Sequence, residues 1–211
     1  ENVETYTNRS FCIDIPYTGT TPTDDTSTVT ETTNTSSDTT SLGYTVSSSN
    51  SDFSLSSIAI DANGAILESY TCEAKVNGAE NSIPISWANV PEGTGSLAIS
   101  IHANINADEI NHYLLLWDID PSVSEIPYGN ADDGAWFMGP NKDFAKISYS
   151  SPCSPSPGTN TYIMTIYALS ETPSSLPTEN SLEMSYPLLL SAIETVTLID
   201  SVQMTYISVT E

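Results

Sequence analysis

The sequence predicts a mainly β domain. Three observations carry this. Short apolar runs alternate with period two or are rich in β-branched and aromatic residues. Loops rich in Pro, Gly and Ser separate them. One stretch alone has a helical pattern.

FSLSSIAI, Phe53 to Ile60, alternates Phe53 and Leu55, then Ile58 and Ile60, with a slip between. DANG, Asp61 to Gly64, is a turn. SLAISI, Ser96 to Ile101, sets Leu97, Ile99 and Ile101 on one face. HYLLLWDI, His112 to Ile119, is apolar on both faces and predicts a central strand. TYIMTIYAL, Thr161 to Leu169, predicts another. TVTLIDSVQMTYISV, Thr195 to Val209, predicts two more. LEMSYPLLLSAIE, Leu182 to Glu194, is the helical candidate; Pro187 breaks it or sits in its first turn.

The chain has 211 residues and divides into three parts: an arm (1–17), a linker (18–50) and the β domain (51–211). Residues 20–41 contain 15 Ser or Thr in 22 positions, too polar to fold alone. Two N-x-S/T sequons, at Asn8 and Asn34, mark accessible chain and possible glycans. In the arm, FCIDI places Phe11, Ile13 and Ile15 on one face of a strand that Pro16 ends. An isolated strand cannot satisfy its backbone groups or bury its apolar face. It must dock, either on its own domain or on a neighbouring copy.

Charge narrows the function. Four Lys and Arg stand against 27 Asp and Glu, a net charge of −23. Nucleic-acid binding needs clustered cations and is not expected. Anionic membrane surfaces are disfavoured likewise. No apolar run approaches the roughly 20 residues of a membrane span. Such acidity fits an extracellular or a high-salt protein. The opening at Glu1 rather than Met is read as the start of a processed, secreted chain. The cysteines are Cys12, Cys72 and Cys153, so one is left over if two pair.

In order, these segments resemble the phosphatidylethanolamine-binding protein family, in its bacterial and archaeal branch, from about Phe53 to Ile207. ILESYTCE is similar to that family's Tyr-Thr-Cys-Asp-Gly turn. SIPISWANVPEGTGSLAIS, Ser82 to Ser100, is similar to its Ser-Pro-x-Leu-x-Trp block. Ile126-Pro127, Asn141 with Asp143-Phe144, Pro152-Cys153-Ser154-Pro155 and Tyr162 with Tyr167-Ala168-Leu169 follow in sequence. The resemblance implies a large antiparallel sheet, a smaller second sheet and one or two short helices. It also implies a small pocket for phosphate-like anions.

That pocket is degenerate here. In the family it is made by an Asp-Pro-Asp-x-Pro loop, a strand His, a Gly-Pro-x-Pro-Pro loop and a Gly-x-His-Arg-Tyr element. The first reads HANIN, His102 to Asn106, without either aspartate. The last reads GTNTY: Asn160 stands for His, Thr161 for Arg, and Tyr162 remains. The proline loop keeps Pro152 and Pro155, with Ser154 between them and Ser151 where the glycine would be. For the strand His, anchoring on Trp117-Asp118-Ile119 puts Tyr113 in the slot. His112 reaches it only through a bulge. The resemblance also implies a Cys72–Cys153 disulfide, leaving Cys12 beside the arm's apolar face.

Other chemistry is weaker. There is no Gly-x-Ser-x-Gly sequence, and the only histidines are His102 and His112. With Asp108 and Glu109 they match no tight metal motif. YGNADDGAW, Tyr128 to Trp136, has calcium-type oxygen ligands around Asp132 and Asp133 but not EF-hand spacing. Trp87 and Trp117 are expected in the core; Trp136 is undetermined. No cofactor, metal or catalytic residue is expected. The expected function is a non-enzymatic, secreted assembly subunit that polymerises with itself through the arm. The alternative is a monomeric extracellular binding or inhibitor protein.

Overall fold

The computed structural model describes residues 52–210, apart from 73, 74, 77, 78, 106–108 and 155. The expectations for Phe11, Ile13 and Ile15, for Asn8 and Asn34, for Cys12 and for the linker lie outside the described residues.

Ten strands and one α-helix are described: β1 (Ser54–Ser56), β2 (Lys75–Val76), β3 (Ala79–Glu80), β4 (Ile85–Ala88), β5 (Ser96–Asn104), β6 (Ile110–Ile119), β7 (Glu125–Ile126), β8 (Phe137–Met138), β9 (Gly158–Leu169), α1 (Tyr186–Ile193) and β10 (Leu198–Thr210). Glu68–Tyr70 forms one 3-10 turn. The large sheet runs β10-β9-β5-β6-β8, and every pairing in it is antiparallel. A smaller sheet runs β1-β4-β7, and β2 pairs with β3. The mainly β fold with a large and a smaller antiparallel sheet is therefore present.

Period-two alternation builds the core. Leu97, Ile99 and Ile101 of β5, Met164 and Ile166 of β9, and Val202 and Met204 of β10 form one inward row. They pack with Phe53, Leu55, Ile85 and Trp87 of the smaller-sheet region. The opposite face of the large sheet carries Ala98, Leu115, Trp117, Tyr167 and Leu169, covered by Tyr186, Leu189 and Ile193 of α1. Trp117 is fully buried and donates its indole N–H to the Pro177 carbonyl at 2.7 Å. Trp136 is half-buried and donates to the Ala131 carbonyl at 2.8 Å.

Four local expectations are corrected. Thr195 to Val209 does not make two strands. The Asp200 carboxylate takes the Ser201 N–H, and β10 runs on to Thr210 past a register shift between Leu198 and Asp200. HANIN does not begin a loop: His102, Ala103 and Asn104 extend β5, and the first two are buried. Ile58 does not share a face with Ile60; it is 77% exposed and Ala59 is buried instead. The helix is shorter than the pattern, because Ser185 caps it by accepting the Leu188 N–H and Pro187 sits in its first turn.

Candidate functional site

The site begins on β6. Its pairing with β5 slips between Ile101 and His102: Ile101 opposes Leu114, but His102 opposes His112. Tyr113 is thus the extra residue of a β-bulge, and a bulge changes which face a side chain meets. Tyr113 joins Leu114 in the inward row. Its ring meets Tyr162 of β9 edge to face, with centroids 5.0 Å apart. Tyr162 in turn stacks on Tyr206 of β10 at 5.3 Å, its cross-strand partner.

His112 is placed elsewhere. It pairs with His102, whose ring stacks on Tyr186 of α1 at 4.1 Å. Both histidines therefore lie on the α1 side of the sheet. His112 packs edge to face on Phe144 at 4.8 Å and bonds the Pro140 carbonyl. The bulge exists, but it turns Tyr113 rather than His112 toward Tyr162.

Asn160 alternates with Tyr162, so it shares that face, half-buried and opposite Ser208. Thr161 points the other way and is exposed. Ser151 and Pro152 are buried, whereas the Ser154 hydroxyl turns into its own loop and donates to the Ser156 carbonyl at 3.1 Å. Pro152 and the Cys72–Cys153 disulfide border a groove of about 460 Å³ together with Ser208 and Thr210. The expected disulfide is formed.

One residue of the site was not singled out from the sequence. Glu80, at the end of β3, accepts both donors of Ser151 on Oε2: the backbone N–H, and the hydroxyl at 3.0 Å. The two residues are 71 positions apart, and no local pattern links them. Tyr149 and Tyr206 were also missed. Tyr206 had a signal, because it continues the inward alternation of Val202 and Met204.

Burial pushes the hydroxyls of Tyr113, Tyr149, Tyr162 and Tyr206 above their ordinary range, so all stay protonated at pH 7. The Glu80 charge adds to the effect at Tyr149. Lys142 is bonded to Asp143 at 2.6 Å, which raises its pKa. The Ser151 hydroxyl donates directly to the Glu80 carboxylate.

The large antiparallel sheet, the smaller second sheet and the loop-and-strand groove beside β10 define the class of fold. Residues 56–201 match the family described as phosphatidylethanolamine-binding protein. The chain belongs to that family. A structure described as a phosphatidylethanolamine-binding protein homologue from Chlamydia trachomatis superposes with a TM-score of 0.59 at 21% identity, covering 77% of this chain and 99% of that one. YbcL of E. coli, described as a new member of the mammalian family, gives 0.61 at 20% identity, covering 76% and 99%. At these identities the likeness concerns the fold. No curated protein matches the chain.

Proposed function

We propose that this chain is a non-enzymatic structural or assembly subunit, secreted, whose family pocket no longer serves an anion. The observation that carries this reading is the Glu80–Ser151 contact. The loop donors that could meet a ligand's negative charge already serve an internal carboxylate. A second anion there would face Glu80 at close range, in a chain of net charge −23. The residues brought to that face are phenols and an amide, without Arg or imidazole.

The assembly part rests on the arm and on an edge. β10 is thirteen residues long and ends the large sheet. Among the described residues, the backbone bonds on its outer edge are the two of Ile207, with Gly64 and Ile66. A strand such as FCIDI, added there from another copy, would form main-chain bonds and seat Phe11, Ile13 and Ile15 on one face. Such a contact is heterologous, so it would propagate.

Light scattering after size exclusion on the full chain tests the reading. Polymers are expected, and deletion of residues 1–17 should give monomers. A monodisperse full-length monomer would sink the assembly reading. A second reading, a monomer that binds a small neutral ligand, is favoured by the buried hydroxyls of Tyr149 and Tyr206. Neither has a partner within the described structure. Calorimetric titration with phosphoethanolamine separates both from family-type anion binding: no heat is expected, and micromolar affinity would overturn the argument from Glu80.

A further inference from the structure

The acidic turn Tyr128 to Trp136 has calcium-type oxygen ligands without EF-hand spacing. In the fold, part of it closes a small cavity of about 80 Å³. Four segments meet there: Glu80 to Ser82, the turn through Gly129, Ala131 and Asp132, Met138 of β8 as the apolar member, and Ser148 with Tyr149. We propose that this cavity is a binding site for a single calcium ion.

The lining is rich in oxygen. Glu80 and Asp132 bring carboxylates, Asn81 an amide, and Ser82, Ser148 and Tyr149 hydroxyls. No Lys, Arg or His lines it. Asn81 donates its amide N–H to Tyr128 at 3.3 Å, so its carbonyl oxygen is the acceptor left for a ligand. Ser82 already accepts the Ala131 N–H at 3.1 Å, which ties the turn to the segment after β3.

The second observation is independent of the acidic groups. Tyr149 is 2% exposed, and its hydroxyl has no hydrogen-bond partner within the described structure. The Ser148 hydroxyl is also buried and unpartnered. Native proteins rarely leave such groups unmet. Burial, with the Glu80 charge adding to it, holds the phenol above its ordinary range, so Tyr149 offers a neutral oxygen.

The chemistry selects the ion. Hard oxygen ligands, with no imidazole or thiolate, favour calcium or magnesium over zinc and copper. Oxygens drawn from a strand end and two loops suit the flexible coordination of calcium better than the strict octahedron of magnesium. About 30 Å³ is one water's share of the liquid, so the cavity has room for an ion with one or two waters. Among the described residues, no three His, Cys, Asp or Glu side chains cluster to hold a metal. Two carboxylates with neutral oxygens therefore imply a weak site, with Kd on the order of 10⁻⁴ to 10⁻³ M as in extracellular calcium modules.

The test is calorimetric titration of the full chain with CaCl₂ in ~150 mM NaCl, where salt screens diffuse binding to surface carboxylates. One saturable equivalent is expected. Asp132→Asn should weaken it at least tenfold, and Tyr149→Phe severalfold. Asp133→Asn, which changes the same net charge outside the cavity, should leave it unchanged within twofold. Circular dichroism checks that each variant is folded. Calcium should also raise the wild-type Tm and not that of Asp132→Asn. Absence of a saturable equivalent below ~10 mM would overturn the proposal. So would equal losses in Asp132→Asn and Asp133→Asn, because these would mean that calcium collects only in the general acidic field.

Discussion

His102 and His112, the only two histidines in the chain, face each other across β5 and β6, and both are buried. Tyr186 covers one ring and Phe144 the other. His102 Nδ1 and His112 Nε2 are buried without a partner in the described structure. Burial lowers His102 from 6.5 to about 4 and lowers His112 in the same direction.

The first prediction follows from the sign of those shifts. Both folded-state pKa values are depressed, so between 6.5 and about 4 the unfolded chain binds more protons than the folded one. Stability held above 6.5 is lost as pH falls through that window. Tm should drop on the order of 5 °C more in the wild type than in His102→Gln/His112→Gln between pH 7 and 4.5. Asp61 and Asp120, lowered by hydrogen bonds from nearby N–H and O–H groups, act below 3.8 and do not confuse this interval. Parallel profiles of the two proteins would refute the prediction.

Glu80→Ala removes the acceptor for both donors of Ser151. Leaving a buried donor unmet costs about 1–3 kcal/mol, which urea denaturation can measure. Glu80→Gln keeps an acceptor oxygen and should recover most of the loss. Equal losses in both variants would mean that the charge, rather than the hydrogen bonds, matters.

The Cys72–Cys153 disulfide joins positions 81 residues apart. Reduction, or Cys72→Ser/Cys153→Ser, should cost about 2–5 kcal/mol. The neighbouring Ser151 amide should exchange faster with deuterium, since the bond anchors its loop. A reduced protein with unchanged Tm would contradict this.

Tyr206→Phe removes a hydroxyl that is buried and has no partner within the described structure, while keeping the ring stacked on Tyr162. The variant should be neutral or more stable by up to ~1 kcal/mol. A loss larger than that would reveal a bound water or ligand on the hydroxyl.

Alternation made several elements of the large sheet legible. Leu97, Ile99 and Ile101 mark one face of β5, and Met164 with Ile166 one face of β9, because a half-buried strand writes its environment every second residue. Where the period slips, the signal fails. Nothing local marks Tyr113 as a bulge residue, since a bulge is defined by the partner strand. Thr195 to Val209 likewise reads as two strands until β9 is present to carry β10 through as one.

The sequence by itself determined the β-rich class and, through the resemblance of its ordered motifs, the family and the expected pairing of Cys72 with Cys153. All are written in composition or in ordered motifs. Only the tertiary structure decided which of His112 and Tyr113 faces Tyr162, and that Glu80 holds Ser151. It alone brought Asp132 to the same cavity as Glu80 and Tyr149. The physical reason is common to all three. Each depends on a contact between segments distant along the chain, set by strand register and loop closure, and no neighbouring residue encodes it.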